Sequence, residues 1–76
     1  MIIKILGSGC SKCIALTENT RQALSSAGKQ ADIVKVTDFA EIASYGVMST
    51  PALVIDEKLV SYGKVLKADE VAALLP

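Results

Sequence analysis

The sequence contains no histidine, only two cysteines, and no excess of charge of either sign. The first two scarcities bear on metals. A closed zinc site takes four ligands, so this chain could hold a soft metal such as Cu(I) or zinc only in a low-coordinate or dimer-bridging site. Eight basic residues balance eight acidic ones and do not cluster, which removes the electrostatic footprint of a protein that binds nucleic acid or an anionic membrane. Neither partner is expected. No apolar run approaches the roughly 18 residues of a membrane span. Ile2–Leu6 is also too short for a secretory h-region, which needs about 7–15 residues behind a positive segment. Repeats, linkers and low-complexity tracts are absent as well. We therefore expect one domain over residues 1–76, monomeric and cytoplasmic.

What the chain does have is hydrophobic content, 51% against 21% charged residues. A domain this short buries only about 60% of the surface its unfolded chain exposes, so such richness suggests a sheet covered on both faces. Ile2, Ile3, Ile5 and Leu6, interrupted by Lys4, read as a central strand. Cys13, Leu16, Thr20, Ala23, Leu24 and Ala27 fall at helical spacing before Gly28, which predicts a helix over 11–27. Ala31–Val36 reads as a second strand, parallel to the first because the crossover between them is long. Asp38 with Glu41 opens a short helix that carries Phe39 and Ile42 and ends at Gly46. Ala52–Ile55 and Leu59–Tyr62 form a hairpin around Asp56-Glu57-Lys58, where Glu57 stands at a place better suited to glycine and leaves the turn type open. Asp69 and Glu70 start a last helix whose Val71, Leu74 and Leu75 should cover the sheet. The order is β-α-β-α-β-β-α.

The two cysteines, in Cys10-Ser11-Lys12-Cys13, lie at the junction of the first strand and first helix. A C-x-x-C pair in the first turn of a helix is close enough to close a small disulfide ring, and the unpaired amides and dipole of that helix end stabilise a thiolate. Cys10, at the exposed lip, is the expected nucleophile, and Cys13 faces inward. A thiol with a pKa near 8.5 is only a few per cent ionised at neutral pH, whereas a helix N-terminus with a nearby cation lowers it to roughly 3.5–7.5. Lys12 is either that cation or a solvated side chain on the turn. The same sulfurs could instead serve a soft-metal carrier. Small copper-chaperone domains, which also place C-x-x-C after a first strand, run β-α-β-β-α-β, unlike this chain. Pro51 could simply begin a strand, where its missing N–H is harmless. Val47 and Met48 suit either the core or an apolar rim, and Tyr45 and Tyr62 read as packing residues with a wet hydroxyl.

The element order, joined to Gly9-Cys10-Ser11-Lys12-Cys13, to Tyr45-Gly46-Val47-Met48-Ser49-Thr50-Pro51-Ala52-Leu53 and to Gly63-Lys64-Val65, resembles the thioredoxin superfamily over nearly the whole chain. It looks most like the short, glutaredoxin-sized thioredoxins sometimes called redox-active disulfide protein 2. The resemblance implies a thioredoxin-like α/β fold, with a four-stranded mixed sheet in the order 2-1-3-4 flanked by three helices. It also implies a thiol-disulfide oxidoreductase acting as a protein disulfide reductase. Cys10 would attack, Cys13 would resolve, and Pro51 would be a cis-proline lying against the dithiol. Thr50 would present its backbone to an extended substrate segment, and Ser11 and Lys12 would support the site. No cofactor is implied beyond the redox-active Cys10–Cys13 disulfide. The implied partners are disulfide-bearing target proteins and, as electron donor, a flavoprotein of the thioredoxin-reductase type. Three positions depart from relatives: Ser11 stands where many have proline or glycine, Gly9 replaces the aromatic residue of larger thioredoxins, and the carboxylate those larger proteins bury beneath the dithiol would fall near Lys4. Tyr62-Gly63-Lys64 offers one glycine and a base where glutaredoxins hold glutathione with Gly-Gly and acids.

Overall fold

The apolar alternation of the first strand is resolved by the fold into two separate cores. In the computed structural model, which describes residues 1–7, 9 and 11–75, the chain runs β1 (Ile2–Leu6), α1 (Ser11–Ala27), β2 (Asp32–Val36), α2 (Phe39–Ser44), β3 (Ala52–Ile55), β4 (Lys58–Tyr62) and α3 (Ala68–Leu74). The strands form one four-stranded sheet in the order β2-β1-β3-β4. β1 pairs in parallel with β2 and antiparallel with β3, and β3 pairs antiparallel with β4. The sheet is therefore mixed, with the expected 2-1-3-4 order, and three helices flank it among the described residues.

Because successive strand side chains point to opposite faces, β1 supplies both cores. Ile3 and Ile5 meet Leu16, Ala23 and Leu24 of α1, Val71 of α3, and Leu53 and Ile55. Leu6 meets Val36, Ile42 of α2, Val47, Ala52 and Val54 on the other face. Buried on both sides, β3 is apolar at every position, the pattern of a central strand.

Local chemistry places the element ends. Asp38 caps α2 by accepting the Ala40 amide at 3.0 Å. Glu70 accepts the Lys67 amide at 3.0 Å, the carboxylate half of a capping box for α3. Inside α1 the buried Thr17 and Thr20 donate their hydroxyls to the carbonyls of Cys13 and Leu16, at 2.9 and 2.8 Å, so neither brings an unsatisfied polar group into the core. The hairpin turn is Asp56-Glu57, both at positive φ (48° and 67°), the backbone of a type I′ turn. Asp56 accounts for its own place there: its carboxylate accepts the Ile2 amide at 2.9 Å, and its amide donates to the Ile2 carbonyl at 2.8 Å. The hairpin is not regular, since β4 slips by one residue between Ser61 and Leu59 against Leu53 and Val54, a β-bulge. Two apolar residues that spacing puts on inward faces, Ala27 and Leu74, are exposed at the ends of their helices, and Phe39, in the first turn of α2, is 83% exposed.

Candidate active site

The site gathers where β1 ends. β1 leads into Gly7, whose amide donates to the Val36 carbonyl at 2.9 Å and so continues the pairing of β1 with β2. Gly7 is buried, and its missing side chain creates the space the site uses. A Cβ placed there would overlap the Cys13 sulfur and lie 3.7 Å from Cβ of Thr50. Cys13, in the first turn of α1 and only 5% exposed, is thus brought together with Thr50 over the backbone of residue 7. The peptide between Thr50 and Pro51 is cis, with Pro51 buried and Thr50 exposed. Ser11 and Lys12 are exposed on the same turn of α1 as Cys13. Cys10, the expected nucleophile, lies outside the described residues.

A second glycine fixes the proline segment. Gly63 has φ +74°, its amide donates to the Pro51 carbonyl at 2.9 Å, and a Cβ there would come within 3.2 Å of Cβ of Ser49. Both the backbone conformation and the close approach call for glycine. Of the two loop residues whose place the sequence left open, Val47 is core and Met48 is 96% exposed.

Behind Cys13, a cavity of about 20 Å³ is lined by Ile5, Gly7, Cys13, Thr17, Lys35 and Thr37 among others, which gives room for a single water. Lys35 and Thr17 were not singled out by sequence. The available signal was strand alternation, which puts Lys35 on the α1 side of β2 between Val34 and Val36. Among the described residues no group of three or more His, Cys, Asp or Glu side chains could hold a metal ion, and no helix is long and apolar enough to cross a membrane.

On the face away from α1, Lys4 takes part in a closed triangle. Its ammonium donates to the Tyr45 hydroxyl at 2.7 Å and pairs with Oε1 of Glu57 at 2.7 Å, while the Tyr45 hydroxyl donates to Oε2 of Glu57 at 3.1 Å. The ammonium also stands 5.4 Å from the centre of the Tyr45 ring, within cation–π range. The Glu57 carboxylate first, and the Tyr45 hydroxyl second, hold Lys4 well above the ordinary lysine range. The same hydrogen bonds, that from Lys4 foremost, hold Glu57 below the ordinary carboxylate range. Lys4 is thus committed to partners at the end of α2 and in the hairpin turn.

With this geometry in place, the comparisons with known proteins agree on the class. A family model described as a thioredoxin domain matches residues 1–76. The chain is 41% identical over 71 residues to a thioredoxin of Methanocaldococcus jannaschii, covering 93% of this chain and 81% of that protein. It is 32% identical over 75 residues to a thioredoxin of Methanothermobacter thermautotrophicus, covering 99% and 97%. A solved structure described as "Structure of a malarial protein" superposes with a TM-score of 0.68 at 16% identity, covering 96% of this chain and 90% of that one, and so shares the fold. The protein belongs to the thioredoxin family.

Proposed function

We propose that the protein is a thiol-disulfide oxidoreductase that reduces disulfides of target proteins through Cys10 and Cys13. The observation that carries this reading is the seat of Cys13: buried in the first turn of α1, over a side-chain-free Gly7 and beside Thr50 of the Thr50–Pro51 segment, in a chain of the thioredoxin family. The Cys10 thiolate attacks one sulfur of the substrate disulfide. The S–S bond breaks, the other substrate sulfur departs as a thiolate that takes up a proton, and a mixed disulfide forms. Cys13 then gives up its proton and attacks the Cys10 sulfur, releasing the second substrate thiol and leaving the Cys10–Cys13 disulfide. The substrate gains two electrons and two protons in all, and a flavoprotein dithiol reductase returns them to the protein. Thr50 offers its backbone to the extended substrate segment. Lys12, exposed on the same helix turn, adds positive charge where the Cys10 thiolate forms.

The test is a pair of variants in an insulin reduction assay recycled by dithiothreitol. Cys10→Ser is expected to abolish turnover, and Cys13→Ser to accumulate a mixed disulfide with the target that mass spectrometry detects. Equal activity of the two variants would overturn the mechanism. Tight stoichiometric binding of Cu(I) or zinc under anaerobic conditions, without any insulin reduction, would instead make the protein a metal carrier.

A further inference from the structure

Lys4, Tyr45 and Glu57 come from three separate elements, and the thiol chemistry proposed above uses none of them. As a source of stability the triangle is a poor choice. A charged side chain 23% exposed in a central strand loses much of its hydration, and its acid partner, 66% exposed, returns little as an ion pair. Glu57 moreover sits at φ +67°, where glycine or asparagine is accommodated more easily. What the triangle does achieve is position. Tyr45 is the C-cap of α2, and the chain passes from it directly into 46–50, the stretch that delivers Thr50 over Gly7 beside Cys13. The far end of that stretch is already fixed, because the Pro51 carbonyl accepts the Gly63 amide and Ala52 enters the sheet. Lys4 secures the near end, holding Tyr45 down on β1 while Glu57 reaches across from the β3–β4 turn.

From this geometry we infer that Lys4 is a positioning residue for protein substrates: through Tyr45 it holds the 46–50 loop in the shape on which a disulfide-bearing segment of the target lies. It touches no reacting atom. The inference rests on the disulfide-reductase reading of the same site, so the test uses two substrates. A small aryl disulfide, dithiobis-nitrobenzoate, reaches the thiols without the loop, whereas insulin must lie along it. Lys4→Met keeps an unbranched side chain of nearly the same length and suits a strand facing an apolar core. It is expected to raise KM for insulin about fivefold to tenfold, the scale of one ordinary net hydrogen bond, with kcat and the rate with dithiobis-nitrobenzoate unchanged. Tyr45→Phe, which keeps the ring and removes only the hydroxyl, is expected to do the same and decides the matter should Lys4→Met fail to fold. Lys4→Arg is expected to recover part of the loss. An unchanged insulin KM in Lys4→Met and Tyr45→Phe overturns the inference. So does an equal loss on both substrates, which would mean damage to the thiols themselves. A wild-type protein that reduces neither substrate fails earlier, at the reductase reading itself.

Discussion

At residue 7 the decisive property is the absence of a side chain. Gly7 has no positive φ to justify it; what calls for glycine is the Cys13 sulfur, which occupies the volume a Cβ would take, with Thr50 on the next side. Gly7→Ala must therefore displace Cys13 or the end of β1. Overpacking of this kind costs about 1–3 kcal/mol, so a fall in the denaturation midpoint is expected, together with a slowed release of mixed disulfides, because Cys13 is the resolving sulfur in the proposed reaction. Chemical denaturation and single-turnover insulin reduction read the two effects separately. A variant as stable and as fast as wild type would show that Cys13 does not sit over Gly7. None of this was legible in the sequence, where nothing at Gly7 announces its neighbours in space. The family resemblance, by contrast, implied that Pro51 lies against the dithiol; the residue that meets the Gly7 position alongside Cys13 is its neighbour Thr50, 37 positions from Cys13 in the chain, and no local rule connects the two.

Among the elements, apolar patterning placed strands and helices well, because each helix has one face, and β1 and β3 both faces, that must be buried. It was weakest where an element ends. Phe39 and Leu74 keep helical spacing yet stand exposed in the first turn of α2 and the last of α3, and spacing carries no information about what a helix end packs against. The hairpin turn stayed open for a different reason. Glu57 is neither glycine nor asparagine, and its reason for being there is a long-range partner, Lys4 on β1. That tie between β1 and the turn has a definite pH dependence. Glu57 is held below its ordinary value near 4.5, so its contribution is present above that value and is lost as pH falls through the lower folded one. Lys4 is held above its ordinary value near 10.5, so its contribution is present below that value and is lost only as pH rises through the higher folded one. Between these limits the tie does not titrate. Both groups are solvent-accessible, which keeps the effect small. The melting-temperature difference between wild type and Glu57→Gln is accordingly expected to be constant from about pH 6 to 9 and to shrink below about pH 4. A difference that grows on acidification would contradict the assigned pairing.

For the molecule as a whole, two cores on either side of one mixed sheet hold the end of β1, the start of α1 and the Thr50–Pro51 segment at a common point. The fold brings Gly7 and Cys13 together with the sequence-distant Thr50, and it leaves the Cys13 thiol buried beside an exposed stretch, 48–50. The function proposed for that site requires Cys10 to ionise more readily than an isolated thiol. The pH dependence of iodoacetamide alkylation of the reduced protein, followed at Cys10 by peptide mass spectrometry, measures this directly. The expected midpoint lies clearly below the value near 8.5 of an ordinary cysteine, with the oxidised protein unreactive because residues 10 and 13 are bridged. A midpoint at or above the ordinary value, or an oxidised form in which Cys10 still reacts, would contradict it.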